Sequence, residues 1–341
     1  MIWVKNMNNV SSPARLHAII ARERRRAVVF RRGPSKKVAV IGWNLNTDEF
    51  TIGQWFKGRI YEYRCDLSPD GRYLLYFAAK YGINPVEARI EELVKAELGE
   101  FDWGNYSEKN YLAYRKRAEA LEEEIRRSHA GEFEKLRRSS DYTDGSWTAI
   151  SRTPYLKALD LWFNGSGWNG GGCFVDATHV WINKPHPIRG DHFHHTLSGK
   201  FTEVVEPPDP RLITENGGEC PGIYWPRLER DGWKPGKESE LYTEFSRELP
   251  GGYLLLKRFY TTLPRGDGYG CYWEEHELLH GGKRLLDGRS WRWADYDAGG
   301  KRVLFAEAGA IYSWSLKKPD APPVLLHDFN DMKYEEIAAP Y

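Results

Sequence analysis

The segment that most constrains the fold is RIYEYRCDLSPDGRYLLYFAAK, residues 59–80, in which two β-rich runs flank Ser68-Pro69-Asp70-Gly71. Proline fixes φ for a turn, aspartate accepts a hydrogen bond from its own backbone, and glycine accepts a positive φ. These four residues therefore predict a tight turn between two antiparallel strands. Antiparallel hairpins bury one face against a core, so a chain built from them has an all-β architecture.

Similar hairpins recur downstream, each pairing a β-rich run with a Gly- or Asp-containing turn and a second apolar run. They cover residues 171–184, 246–262 and 293–316. Once a helical insertion is discounted, the spacing approaches the ~40–45 residues of a four-stranded propeller blade. We therefore predict an all-β fold, a propeller-like array of about six antiparallel blades with an inserted charged helical hairpin. An irregular β-sandwich or a half-closed array is the alternative architecture.

One segment between two predicted strands has helical rather than β periodicity. Asn84 and Pro85 provide an N-cap and a first helical residue, and apolar residues follow at helical spacing until Gly99. A second helix with one densely charged face follows, serving either as a solvated decoration or as a contact for a partner. The predicted domains are the β domain, residues 1–83 and 141–341, and the helical hairpin insertion, residues 84–140.

Composition excludes disorder for most of the chain and gives no sign of a membrane segment. Hydrophobic residues make up 41% and aromatic residues 14% of the chain, enough to bury a core. No stretch approaches ~18 consecutive apolar residues, and the first residues lack the pattern of a secretory signal. The four cysteines have no C-x-x-C spacing. We expect a cytoplasmic protein with no cofactor and no membrane contact.

The sequence CDLSPDGRYLLYFAAK, residues 65–80, resembles the repeat of TolB-type and WD40-like bacterial β-propellers. In those proteins a strand, an S-P-D-G turn and an L-x-Y-x strand recur once per blade. The resemblance is close over these residues and looser over the other hairpins. Residues 29–44, 53–71 and 145–162 are also similar to bacterial proteins of unassigned function. The resemblance implies a propeller, a rigid disc that offers loops to a partner.

The net charge is only +1, but the first forty residues are strongly basic, with ten Lys and Arg side chains and one acid, Glu23. Guanidinium groups and the N–H groups of a turn can bind an anion such as phosphate, a nucleotide or nucleic acid. Ion pairing with acids elsewhere in the chain is the alternative role. The candidate anion-binding residues lie on two successive predicted blades: Arg31, Arg32, Ser35, Lys36, Lys57, Arg59 and Arg64.

Two histidine-rich runs raise the question of a metal site. His276-Glu277-Leu278-Leu279-His280 matches the H-E-x-x-H pattern that zinc peptidases place on a helix. No capping residue precedes it and Gly281-Gly282 follows, which instead indicates a strand and a type I′ turn. In a strand the two imidazoles would lie ~13 Å apart, too far to share one zinc. The second run, HPIRGDHFHH, supplies the candidate metal ligands His186, Asp191, His192, His194 and His195.

The chain contains no nucleophile elbow, Walker loop or dinucleotide-binding glycine pattern. The sequence therefore favours a binding or scaffold protein over an enzyme. We expect a protein partner at the propeller and an anionic ligand at the basic N-terminal face. A metal-dependent hydrolase that uses the His-rich loop or the HELLH run is the alternative function.

Overall fold

The computed structural model divides the chain into two compact units, Met1–Ala79 with Ser146–Tyr341, and Lys80–Gly145. It describes residues 12–33, 37–82, 84–139, 145–165, 167–184, 198–209, 219–261 and 272–341, together with the backbone of residues 194–196. No helix in these ranges is long and apolar enough to cross a membrane.

The first unit contains five sheets within the described residues, with strands numbered in chain order. The first sheet consists of β1 (Arg15–Ile20), β2 (Arg26–Arg32), β3 (Lys37–Asn44) and β4 (Glu49–Lys57). The second consists of β5 (Arg59–Ile60), β6 (Asp66–Leu67), β7 (Tyr73–Lys80), β8 (Gly145–Arg152), β9 (Ala158–Phe163) and β12 (His194–Thr196). The third consists of β10 (Gly172–Phe174), β11 (His179–Ile182) and β13 (Thr202–Glu203).

The other two sheets follow in the C-terminal part of the chain. The fourth consists of β14 (Lys234–Glu238), β15 (Tyr242–Leu249), β16 (Tyr253–Tyr260), β17 (Trp273–His280) and β18 (Lys283–Gly288). The fifth consists of β19 (Trp293–Asp297), β20 (Arg302–Glu307), β21 (Ala310–Ser315) and β22 (Val324–Asp328). In the first, fourth and fifth sheets the strand order in space is the order in sequence, with antiparallel neighbours. Such meanders are the blades of a propeller.

The sheets follow one another around the unit. The first strand β1 packs against β6 of the second sheet and against β19 and β20 of the fifth, while β17 packs against β19. The third sheet meets the second through β10 and β6. A helix, α4 (Cys220–Arg230), contacts both β10 and β14 and so lies between the third and fourth sheets. The predicted propeller-like array is confirmed.

The described residues form five sheets, close to the predicted number of about six blades. The second sheet has six strands and the fourth has five, so each of them takes more residues than a four-stranded blade. The helix α4 was not predicted, because Pro226 lies inside it and proline disfavours a helix interior.

The turn at Ser68-Pro69-Asp70-Gly71 forms as predicted. The Ser68 hydroxyl donates to Asp70 at 2.7 Å and accepts from the backbone N–H of Tyr73 at 2.9 Å. Gly71 has φ of 73°, and a Cβ there would lie 3.1 Å from the Cβ of Ala21. The glycine therefore allows this hairpin to approach the turn between β1 and β2.

The second unit is helical, with α1 (Pro85–Leu98), α2 (Glu108–Ser128) and α3 (Ala130–Ser139). The Asn84 side chain accepts from the backbone N–H of Val86 at 3.0 Å, and Gly99 ends α1 with φ of 69°. The inserted helices are thus confirmed, but α3 was not predicted. The helix α3 begins directly after His129, the C-cap of α2, and charged residues continue from one helix into the next. The sequence therefore gives no sign of a separate helix. The unit has its own core of Val86, Ile90, Val94, Ile125 and Phe133.

Candidate functional site

A cluster of buried polar side chains lies where β1, α4, β16 and β17 meet. We call it the central cluster; it consists of His17, Tyr224, Lys257, Glu274 and His276. Each of these residues is at most 5% exposed. Lys257 interrupts the apolar run of β16, and its partner across the antiparallel ladder is His276. Glu274 lies two residues from His276, so the alternation of side chains along β17 directs both to the same face.

Glu274 forms the ionic core of this cluster. The Lys257 ammonium lies 2.7 Å from the Tyr224 hydroxyl oxygen and 3.3 Å from Glu274 Oε2. The Tyr224 hydroxyl donates to the other oxygen of the same carboxylate. His276 Nε2 lies 3.3 Å from Glu274 Oε2. The contacts with Tyr224 and His276 add to the buried ion pair and offset part of the cost of removing its charges from water.

Burial and mutual contact shift the ionisation of the central cluster. Burial lowers the pKa of Lys257, and the Glu274 carboxylate opposes that shift. Burial by itself would raise the pKa of Glu274, but the Lys257 ammonium and His276 outweigh it and hold that pKa well below its usual range. Burial, with Glu274 nearby, raises the pKa of Tyr224 well above its usual value. Glu274 is therefore ionised and Tyr224 is a neutral hydrogen-bond donor at neutral pH.

Neither ring nitrogen of His17 has a hydrogen-bond partner among the described residues, and the same is true of His276, whose Nε2 lies 3.3 Å from Glu274 Oε2. The His17 ring packs edge-on against Tyr63, with centroids 5.0 Å apart, and lies 6.2 Å from the ring of Tyr224. Burial lowers its pKa from 6.5 to about 3. At neutral pH the side chain is therefore an uncharged imidazole with one donor and one acceptor nitrogen.

Two cavities reach this cluster. The wide cavity has a volume of about 450 Å³ and the narrow cavity a volume of about 70 Å³. Of the described residues, His17 alone lines both. Tyr224 and Lys257 line the wide cavity, whereas Glu274 lines the narrow one. The central cluster therefore forms the wall between the two.

The turn between β1 and β2 forms the mouth of the wide cavity. Arg22, Glu23 and Arg24 are exposed there, while the inner end is lined by buried residues of the central cluster. The lining contains seven cationic and four acidic side chains. Three of the acids are paired with arginines, as in the contacts of Arg25 with Asp297 at 2.8 Å. The mouth therefore has an excess of positive charge.

Arg22 and Arg24 carry much of this excess. Among the described residues, the Arg22 guanidinium has one hydrogen-bond acceptor, the backbone oxygen of Phe174 at 3.3 Å. The Arg24 side chain has no hydrogen-bond or ion-pair partner within the described part of the chain. Both guanidinium groups are thus available at the mouth for a ligand that carries negative charge.

The narrow cavity brings together two of the predicted anion-binding residues, Arg32 and Arg59, with Arg15 and Arg292. It also faces two carboxylates, Glu62 and Glu274. Arg32 donates to Glu62 at 2.8 Å and to the backbone oxygen of Ile60. The four arginines of this cavity therefore outnumber its two carboxylates, and Arg32 is paired with one of them.

The other predicted anion-binding residues do not join this site. The buried Arg31 donates to the backbone oxygens of Phe329 and Asn330, each at 3.1 Å. Successive strand residues point to opposite faces, which separates it from Arg32. Arg64 donates to the backbone oxygens of Gly167 and Trp168, and Lys57 lies over the ring of Tyr334, whereas Ser35 and Lys36 are outside the described residues. The five described residues of the set do not form one site.

The run that matches H-E-x-x-H is a strand, as its flanking glycines predicted. It lies in β17 and pairs with β18 across a turn at Gly281 and Gly282, which have φ of 55° and 76°. His276 is buried and His280 is exposed, with its ring stacked on Tyr253 at 4.3 Å. The helix on which a zinc peptidase holds its ligands does not form here, so a hydrolase built on the HELLH run is ruled out.

The second histidine run lies mostly beyond the described residues. His186, Asp191 and His192 are outside them, and His194 and His195 are described only as backbone in β12. Elsewhere in the described ranges, no group of three or more His, Cys, Asp or Glu side chains could hold a metal ion. A metal site on this run stays a prediction.

The unpaired arginines of the mouth were missed as a site, although their sequence signal is visible. ARERRR, residues 21–26, is a dense basic run bounded by two β-rich runs, which marks a charged hairpin turn. The buried members of the central cluster have no such signal. Lys257, Glu274 and His276 lie in runs that resemble ordinary strands, and only the fold brings them to His17.

Stability should fall on mild acidification because of His17. Its pKa in the folded protein is about 3 and its ordinary pKa is 6.5, so between these values the unfolded chain binds a proton that the folded protein excludes. We expect this residue to lower the free energy of unfolding by about 2 kcal/mol between pH 7 and pH 5. Urea unfolding at both pH values measures it.

A phenylalanine variant isolates this contribution. His17→Phe keeps a ring of similar size and should reduce the loss between pH 7 and pH 5 by about 2 kcal/mol. His327→Phe changes an exposed histidine that lines neither cavity, and should leave the loss unchanged. An equal loss in wild type and His17→Phe would show that His17 is not held neutral by burial.

Comparisons with known proteins add little. Searches against protein-family models and against curated proteins found no match. Similar solved structures include an acylaminoacyl peptidase of Pyrococcus horikoshii, at 10% identity and a TM-score of 0.26 over 92% of this chain and 45% of that one. The chain thus spans less than half of that peptidase. Another is the β-propeller domain of the trilobed protease from Pyrococcus furiosus, at 12% identity and a TM-score of 0.23 over 92% and 85%.

A third is hydrazine synthase of Kuenenia stuttgartiensis, at 9% identity and a TM-score of 0.21 over 93% of this chain and 81% of that one. Similarities at these TM-scores carry no argument about activity. They also do not identify the chain as a TolB-type or WD40-like protein. The class that the strands themselves define is a propeller-like protein with a polar central cluster, and the site has to be judged on its own geometry.

Proposed function

We propose that the protein is a binding module that recognises an anionic ligand in its wide cavity. The observation that carries the proposal is the mouth of that cavity, where Arg22 and Arg24 have no carboxylate partner in the part of the chain that the structure describes. A concave site with convergent cations is a suitable place for a phosphate-bearing molecule. The proposal keeps the predicted ligand class and the predicted basic N-terminal face, but moves the site to the turn between β1 and β2.

Size favours the wide cavity over the narrow one. A volume of about 70 Å³ has room for only a few water-sized groups. The carboxylates of Glu62 and Glu274 also lie among the four arginines of the narrow cavity. The wide cavity is about 450 Å³, and three of its four acids are paired with arginines.

A further basic surface adjoins the mouth. Arg24 and Arg25 also line a surface cavity of about 510 Å³ together with Arg26 and Arg72. Of the groups lining it, Asp70 is the one acid, and it lies 3.3 Å from Arg72. The positive potential therefore extends outward from the mouth and would raise the rate at which an anion arrives.

Calorimetric titration with inorganic pyrophosphate at low salt tests the proposal. We expect saturable binding to the wild-type protein that weakens as salt is raised, because the contacts are ionic and exposed. Arg22→Ala with Arg24→Ala should weaken binding at least tenfold, since each charge-assisted contact contributes about 1.5–3 kcal/mol at most before screening. The thermal unfolding of this variant should match that of the wild type.

A charge-matched control separates this site from general attraction. Lys283→Ala with Lys317→Ala removes two exposed positive charges away from both cavities and should leave pyrophosphate affinity unchanged. An equal loss in the two double variants would mean that net charge alone attracts the anion, and would contradict the proposal. A protein partner and a metal-dependent activity at the second histidine run stay predictions.

A further inference from the structure

The inner end of the wide cavity holds a polar group that the anionic ligand alone does not explain. His17 is 5% exposed, lines the cavity, and has no partner for either ring nitrogen within the described residues. Burying a polar group without a hydrogen bond is unfavourable. A side chain kept in that state at the wall of a cavity is suited to bind something that enters it.

The chemistry of the wall selects the kind of group. The neighbouring Lys257 and Glu274 neutralise each other, and the imidazole of His17 is itself uncharged. A neutral imidazole offers one donor and one acceptor, which a hydroxyl group complements because a hydroxyl can donate and accept. Arg227 also lines this cavity, with its guanidinium 4.9 Å from the Tyr224 ring, and it donates to the backbone oxygen of Cys65. Aromatic residues, including Tyr224 and Trp233, complete the inner lining and offer apolar faces.

The length of the cavity sets the spacing between the two ends of the ligand. His17 and Arg22 are five residues apart, and β1 ends at Ile20, so their Cα atoms are at most ~16 Å apart, and the long arginine side chains can reach inward from the mouth. A ligand that contacts both ends must therefore be longer than a single phosphate ion. It needs a negative charge at one end and hydroxyl groups at the other.

We propose that the ligand is a phosphorylated sugar, with its phosphate at Arg22 and Arg24 and a sugar hydroxyl hydrogen-bonded to His17. This inference rests on the proposed function and specifies its ligand class. The sugar phosphate can be a free hexose phosphate or part of a nucleotide, since both present the same two groups. A site built to hydrogen-bond a hydroxyl discriminates strongly against an analogue that lacks it.

Four ligands test the proposal by calorimetric titration: inorganic phosphate, hexyl phosphate, glucose 6-phosphate and adenosine monophosphate. Hexyl phosphate and glucose 6-phosphate both carry six carbons and one phosphate, but only the second carries hydroxyls. We expect glucose 6-phosphate or adenosine monophosphate to bind at least tenfold tighter than hexyl phosphate. The tighter of these two identifies the source of the sugar phosphate.

Variants at His17 assign the preference to the imidazole. His17→Phe should remove the preference for the hydroxylated ligand and leave the affinity for inorganic phosphate unchanged. His17→Gln supplies an amide donor and acceptor and should keep part of the preference. His327→Phe is the matched control and should keep all of it, and thermal unfolding of each variant establishes that it is folded.

The outcomes separate this inference from the proposed function. Equal affinity for hexyl phosphate and the two hydroxylated ligands would overturn the inference and leave the anion site standing. A preference that survives unchanged in His17→Phe would also overturn it, because another residue would then bind the hydroxyl. Absence of binding by all four ligands would overturn the proposed function and this inference together.

Discussion

Replacing Glu274 with glutamine is expected to lower the free energy of unfolding by about 3–5 kcal/mol, because the change leaves the buried Lys257 ammonium without its carboxylate. Both side chains are about 1% exposed, so water cannot take the place of the lost partner. The Tyr224 hydroxyl would lose its charged acceptor as well. Guanidinium-induced unfolding at neutral pH measures the loss.

A second variant shows that the loss comes from the unpaired charge. Lys257→Met combined with Glu274→Gln removes both charges and should recover much of the stability lost in Glu274→Gln alone. Glu248→Gln is the control, because Glu248 pairs with Lys234 in an exposed ion pair and its loss should have little effect on stability. Equal losses at Glu274 and Glu248 would contradict the description of the central cluster as a dry, interdependent group.

Replacing Asp66 with asparagine is expected to lower the free energy of unfolding by about 3 kcal/mol. The Asp66 side chain is fully buried and accepts two hydrogen bonds from Arg230 of α4, at 2.7 and 2.9 Å. It also accepts from the backbone N–H of Phe174 at 2.8 Å. One carboxylate therefore joins the second sheet, the third sheet and α4, and an amide cannot replace its charge.

The pH dependence of the Asp66 contribution supplies a second readout. Burial by itself would raise the pKa of Asp66, but Arg230 outweighs it and the pKa lies below its usual value. The stabilisation is thus present above the ordinary pKa of 3.8 and is lost as pH falls through the folded value. Wild type and Asp66→Asn should therefore converge in stability in acid. The control Asp287→Asn changes an exposed pair with Arg289 and should have a small effect at any pH.

Local turn chemistry explains why the sequence predicted much of the fold. The turn at Ser68-Pro69-Asp70-Gly71 is closed by hydrogen bonds of its own side chains, so these four adjacent residues are enough to predict it. Gly281 and Gly282 similarly predicted a hairpin, whereas the HELLH motif by itself would have predicted a zinc site. The caps of α1 at Asn84 and Gly99 were visible for the same reason.

The site was harder to predict because its parts are distant in sequence. His17 meets residues more than two hundred positions later, and no local pattern indicates that β1 packs against α4. The helix that carries Tyr224 contains Pro226, which argues against a helix when the segment is read alone. Arg31 and Arg32 are adjacent in sequence, and we therefore predicted that they would bind the same anion. Their side chains point to opposite faces of the strand.

The position of a bound anion tests the central claim most directly. Tungstate is a heavy tetrahedral analogue of phosphate, and its anomalous scattering in a crystal locates it without reference to the protein. We predict a tungstate peak in the wide cavity within contact distance of the Arg22 and Arg24 guanidinium groups, and its loss in the Arg22→Ala, Arg24→Ala variant. Tungstate bound only in the narrow cavity, or only away from both cavities, would contradict the account.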